Sequence, residues 1–384
     1  MKYNFDKVID RSGTSAEKVE GLKHIWGRTD LIPLWVADMD FATAPFVTDA
    51  IRKRCENEVL GYTGKPDSYY NAIINWVKQR YDLIVTKEVI NFVPGIVPGI
   101  GMAMNCFTQK GDKVMIQPPV YHPFAWVTTR NERTLVINPL KWENGMYRMD
   151  LDAFREQIKG CKLFILCNPH NPGGVVWTEA ELRAIADICY DEKVLVFSDE
   201  IHADLTLPPH THRPFATVSE KARMNSVTFM SPSKAFNMPG LSASHALIFN
   251  EDLRKRFRIY MDAGELDMGH VFAFLSVEAA YSHGTEWLDQ CLAYIQGNID
   301  FVDEFLKKHA PKIKAIRPEA SYLVWLDCRE LELSQKDLNE FFVDKAHLAL
   351  NDGEMFGKEG IGFMRLNVAS PRCIIEKAMK QLAD

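Results

Sequence analysis

The middle of the chain alternates short runs of β-forming residues with amphipathic helical segments, and this alternation constrains the fold more than any other feature. The runs are KVMIQ (113–117), TLVINPL (134–140), KLFILCN (162–168), VLVFSDE (194–200), SVTFMSPS (226–233) and HALIF (245–249). Several are apolar almost without interruption, which fits strands covered on both faces rather than strands with one face in water. Between two of them, Thr178 and Glu181 form a T-x-x-E capping box ahead of the helical pattern ELRAIADICY. The alternation predicts an α/β domain: a mostly parallel, mixed sheet flanked by helices.

Toward the C-terminus the pattern changes. A long helix is expected over residues 285–310, then a strand at YLVWLDC (322–328), a helix from Ser334, a strand at FMRLNVA (363–369) and a last helix after Pro371. These elements make a smaller α+β unit, and the first 45 residues, which contain IPLWVADMDF, are expected to fold back onto it. The expected division is therefore 1–45, a large domain over 46–285 and a small domain over 286–384. Val89 to Gln109 carries no charge, but Pro94, Gly95, Pro98, Gly99 and Gly101 make it a poor membrane-spanning helix. A loop entering a buried helix is expected there.

Composition excludes several classes of function. With 45 basic and 51 acidic side chains the net charge is −6, which argues against general affinity for nucleic acid or an anionic membrane. A small phosphate site remains compatible, because backbone amides bind an anion whatever the net charge. The eight cysteines form no CxxC pair and have no histidines at metal spacing, so neither a disulfide framework nor a metal site is expected. The opening MKYNFDKVIDRSG lacks the apolar run of a signal peptide, and the expected location is the cytoplasm.

In an open α/β sheet, ligands gather at the carboxyl ends of the strands. VLVF ends in Ser198, Asp199, Glu200, Ile201 and His202; KLFIL ends in Cys167 and NPHNPGG (168–174); SVTFM ends in Ser231, Pro232, Ser233 and Lys234. Singly these are weak signals: Asp199 reads equally as a helix cap, NPHNPGG as a turn and Lys234 as a solvated surface lysine. Together they place an acid, an amide, a histidine, two hydroxyls and an amine at one edge.

At these residues the chain resembles the fold-type I pyridoxal-phosphate enzymes of the aminotransferase class I/II superfamily. The matching pieces are NPHNPGG, SDEIHADL (198–205), SPSKAFN (231–237) and GFMRLNVASPR (362–372), in the same order over most of the chain. WVADMDF (35–41), GYTG (61–64), PPVYHPF (118–124) and YLVWLDCR (322–329) narrow the resemblance to the branch of cystathionine β-lyases and cysteine-conjugate C–S lyases.

The resemblance implies pyridoxal 5′-phosphate as cofactor and a role for each matching residue. Lys234 would tether the cofactor and later move the substrate proton, which requires neighbours that lower its pKa. Asp199 would keep the pyridine nitrogen protonated, so that the ring draws electrons from Cα. His202 and Asn171 would bond the ring oxygen, and Tyr121 would stack on the ring. Ser231, Ser233 and the Gly95–Val97 turn, with the amides of Ile96 and Val97, would hold the phosphate. Tyr62 would reach that phosphate from a neighbouring subunit of a homodimer with active sites at the subunit interface. Arg365 would take the substrate α-carboxylate by a planar, two-pronged contact, helped by Asn171 and by a wall at Ala37 and Asp38. Many aminotransferases of the superfamily carry an arginine eight residues after the lysine; here that residue is Ser242, a departure shared with the lyase branch.

The implied reaction is β-elimination of a sulfur amino acid to a thiol, pyruvate and ammonia, on a small-molecule amino-acid substrate. Transamination by the same residues is the alternative, and a pyridoxal-phosphate-binding regulatory protein a third reading from another class.

Overall fold

In the computed structural model, which describes residues 3–383, the expected runs assemble into one seven-stranded sheet. Its order is Ile90–Val93, Ser244–Leu247, Ser226–Met230, Leu195–Asp199, Cys161–Cys167, Lys113–Ile116 and Thr134–Ile137. The last five of these are mutually parallel, whereas Ser244–Leu247 runs antiparallel to both of its neighbours. Leu163 to Leu166 and Val196 to Phe197 are buried on both faces, as their unbroken apolar character requires. The capping box forms: the Glu181 amide donates to the Thr178 hydroxyl at 3.2 Å and the Thr178 amide donates to the Glu181 carboxylate at 2.9 Å, opening the helix Glu179–Asp191.

One expectation is corrected. The uncharged stretch does not begin as a loop: Ile90–Val93 is a strand, and it pairs residue for residue with Ser244–Leu247. A run of four residues stopped by Pro94 and Gly95 carries too little local signal, and its pairing partner lies about 150 residues away. Gly95, at φ 114°, then turns the chain into the buried helix Ile96–Phe107, a conformation that favours glycine. At Gly99 a Cβ would stand 2.9 Å from the Val93 side chain and 3.2 Å from Phe229, so the missing side chain lets this helix close onto the sheet.

The second sheet is antiparallel throughout, ordered Lys314–Ile316, Leu323–Asp327, Phe363–Asn367 and Asn351–Asp352. The 25-residue helix Thr285–His309 and the helix Arg372–Ala383 pack with it through a core containing Ile295, Ile299, Leu323, Leu366 and Ile375. Leu34, Met39 and Phe41 belong to that same core, and Ile32–Pro33 pairs in parallel with Leu348–Ala349. The segment 34–41 thus runs as a strap between the two sheets. Asn367 holds it from one side, its amide nitrogen donating to the Val36 and Asp38 carbonyls at 2.7 Å each. Asn237 holds it from the other, donating to the Met39 and Phe41 carbonyls. Among the described residues no helix is long and apolar enough to cross a membrane.

Candidate active site

A cavity of about 260 Å³ opens at the edge where the parallel strands end. Leu195–Asp199 delivers Asp199 as its last residue. Cys161–Cys167 runs into the turn bearing Asn171, and Ser226–Met230 runs into the segment Ser231–Lys234. Ala37, Ile96, Val97, Tyr121, Asn171, Asp199, His202, Ser233 and Lys234 all line this one space. Ser231 stands just behind it, buried, with its hydroxyl bonded to the Ala243 carbonyl at 2.7 Å and to Ser233 Oγ at 2.9 Å. Tyr62 does not reach the cavity of its own chain; it is 99% exposed.

The cavity floor is electrostatically unusual. Lys234 is half-buried as a residue, but its amine is shut in by protein and donates to the Ala37 carbonyl at 2.5 Å. Burial pushes that amine down to about 8, and the nearby Arg365 charge acts in the same direction against Asp38 and Asp199. Asp199 is raised to about 7, chiefly by burial, and accepts from the Ile201 amide at 3.1 Å. Asp199 caps no helix, since the short helix that follows, Ala203–Leu205, is preceded by His202; the Asp199 turn contact leaves its carboxylate facing the cavity. His202 is pushed down to about 3 by burial, so it is neutral, and its Nδ1 has no partner among the described residues. Burial also raises the Cys167 thiol; its sulfur accepts from the Asn171 amide at 3.3 Å and contacts the Pro169 carbonyl, a structural engagement.

Arg365 sits in the strand Phe363–Asn367 and is only 3% exposed, which rules out a surface ion pair. Its Nη1 donates to Asn171 Oδ1 at 2.9 Å, and its Nη2 donates to Asn351 Oδ1 at 2.6 Å and the Trp35 carbonyl at 3.2 Å. The guanidinium lies over Phe356, with 4.8 Å from Cζ to the ring centre. No carboxylate pairs with it among the described residues, and Nε is buried without a partner. A buried cation held only by neutral groups, with a spare N–H, is arranged to receive an anion from outside the chain.

The donor set fits pyridoxal phosphate. Helix Ile96–Phe107 begins at the cavity wall, and its Ile96 and Val97 amides have no intrahelical acceptor, while Pro98 has no N–H to offer. With the Ser233 hydroxyl they would offer donors to a phosphate group. Asp199 suits a cationic ring nitrogen, whose charge would bring its pKa back down and keep it ionised. His202 Nδ1 supplies an unclaimed polar atom for a ring substituent.

Sequence reasoning missed three contributors. Ser244 and Ala243 line the cavity because their strand is antiparallel: its start, opposite Val93, shares the edge where the other strands end. Asn351, which orients Arg365, comes from a two-residue strand with no local signature.

Over residues 29–382 the chain matches the family described as aminotransferase class I and II. It is 38% identical over 381 residues to cystathionine beta-lyase PatB of Bacillus subtilis (strain 168), covering 99% of this chain and 98% of that protein. The crystal structure of cystalysin from Treponema denticola, which contains a pyridoxal 5′-phosphate cofactor, superposes with a TM-score of 0.96 at 33% identity, covering 100% of this chain and 98% of that one. The PLP-bound C–S lyase from Staphylococcus hominis superposes with a TM-score of 0.92 at 35% identity, with the same coverage.

Proposed function

This chain belongs to the aminotransferase class I and II family, and from that premise we propose that it is a pyridoxal-phosphate-dependent carbon–sulfur lyase. The reaction is β-elimination: cystathionine or a related cysteine S-conjugate takes up one water and yields a thiol, pyruvate and ammonia. The observation that carries the reading is the enclosed Lys234 amine, held at 2.5 Å on the Ala37 carbonyl in a cavity that also contains Asp199 and borders Arg365.

Bound pyridoxal phosphate supplies a carbonyl that links to amines and an electron sink for negative charge at Cα. Lys234 would tether it. Asp199 would hold the ring nitrogen, Tyr121 would cover the ring, His202 and Asn171 would bond the ring oxygen, and Ile96, Val97 and Ser233 would hold the phosphate, with Ser231 setting the Ser233 hydroxyl. Arg365 and Asn171 fix the substrate carboxylate and thereby the direction of the Cα–H bond. Lys234, with its basicity lowered toward neutrality, takes the Cα proton, and the C–S bond at Cβ then breaks with the electron pair leaving on sulfur.

Transamination would use the same residues and return the proton elsewhere. Purified protein given cystathionine and no keto acid is expected to release pyruvate and homocysteine in equal amounts. Turnover only after a keto acid is added would make it a transaminase.

The assembly is read as a homodimer with sites at the interface, on the strength of the protruding segment in which Val59, Leu60 and Tyr62 are 72%, 58% and 99% exposed. Light scattering should give twice the chain mass, and Tyr62→Phe should weaken cofactor retention about tenfold, the loss of one hydrogen bond to a charged group. A monomer that retains cofactor fully would remove this role. The setting is read as the cytoplasm, which suits eight free cysteines, six of them wholly or partly buried.

A further inference from the structure

The strap 34–41 carries an unusual cluster of charge behind the Lys234 site. Lys18, the second residue of the helix Glu17–Trp26, is completely buried. Its Nζ bonds Asp40 Oδ2 at 2.8 Å and the Asp38 carbonyl at 3.3 Å, with Asp38 Oδ1 at 3.6 Å. Arg11 grips the same pair from the other side: Nη2 to Asp38 Oδ2 at 2.6 Å and Nη1 to Asp40 Oδ1 at 3.0 Å. Two cations thus balance two carboxylates on the strap. Burying an ammonium is costly unless it is paired, so such an arrangement persists only where the surroundings hold it in one geometry. On the opposite face of the strap the Ala37 carbonyl accepts from both Lys234 Nζ and the Tyr322 hydroxyl, the latter at 2.9 Å. The residue that faces the reacting amine therefore immediately precedes one of the two clamped carboxylates.

We propose that Lys18 and Arg11 are positioning residues for the reaction: by clamping Asp38 and Asp40 they hold the Ala37 carbonyl where it catches the Lys234 amine, so that the amine freed during turnover is already aimed at the Cα proton. This rests on the role given to Lys234 above. The clamp also sets the local charge. The groups facing the Lys234 amine are Arg365, which lowers its basicity, Asp38 and Asp199, which raise it, and neutral His202, with Tyr322 sharing its carbonyl acceptor. Neutralising Lys18 leaves the strap with one uncompensated negative charge and shifts the balance toward the protonated amine.

The test is Lys18→Met, which keeps length and apolar bulk, with Lys18→Arg as the conservative control. In the cofactor-bound Lys18→Met protein, kcat for thiol release from cystathionine should fall about tenfold with KM within twofold. The pH midpoint of the cofactor's visible absorption should move upward, and Lys18→Arg should stay near wild type in both. A folded, cofactor-bound Lys18→Met protein with wild-type kcat and midpoint overturns the proposal. If Lys18→Met does not fold, Arg11→Gln is measured in its place: about a threefold loss of kcat and an upward midpoint are expected, and wild-type values for both overturn the proposal. The absorption titration needs no substrate, so a shifted midpoint in a protein that cleaves no cysteine conjugate would uphold the clamp while removing the lyase reading.

Discussion

Replacing Lys234 by alanine is expected to abolish the visible absorption of the lysine-linked cofactor and to lower kcat by at least about a thousandfold, within the range of lost general-base catalysis. The size follows from where the amine sits. A lysine with an ordinary pKa of 10.5 would be neutral in about one molecule in three thousand at pH 7; at about 8 the fraction is roughly one in ten. Burial does most of this, and it is why an amine that is also hydrogen-bonded to a carbonyl can act as a base near neutrality. The methyl of alanine leaves no amine at the Ala37 carbonyl to take the proton, and the Tyr322 hydroxyl that remains there is kept neutral by burial. Cofactor retention through the phosphate and ring contacts is compatible with this loss, so the measurement is the absorption spectrum together with single-turnover thiol release. An unchanged spectrum would sink the cofactor assignment.

The second large effect is expected at Arg365. Arg365→Lys should raise KM for cystathionine by roughly ten- to a hundredfold, the range of a lost hydrogen bond to a charged group, while cofactor content stays at the wild-type level. Charge is kept, but geometry is not. The guanidinium is held in plane by Asn171 and Asn351 and lies over Phe356, which leaves Nε free. An ammonium offers a point charge with no fork and cannot bond both asparagines while presenting a further N–H in a fixed direction to a carboxylate. Loss of bound cofactor instead would mean that Arg365 supports the fold of the site, and a wild-type KM would refute its carboxylate role.

The two substitutions probe residues that sequence reasoning could reach for different reasons. Lys234, Asp199 and Asn171 follow apolar runs long enough to be read as strands, and strands alternating with helices must run parallel. The ends of all such runs then fall on one edge. Arg365 was legible only through the motif around it; its burial and its lack of a carboxylate partner are facts of packing. The strand Ile90–Val93 and the cavity-lining Ser244 were out of reach, because a single antiparallel insertion reverses which end of a strand faces the site. Lys18 was equally hidden: a lysine at the second position of an amphipathic helix has every local reason to be in water.

By itself the sequence determined the α/β class, the position of most strands and helices, and the chemical types gathered at the sheet edge. Those depend on periodicity, capping and chain order, all local. Only the tertiary structure decided how basic Lys234 is, what Arg365 lacks and what holds the strap. Desolvation and hydrogen-bond partnership depend on atoms brought together from remote parts of the chain, such as Ala37 and Lys234, 197 residues apart, and no local pattern records them.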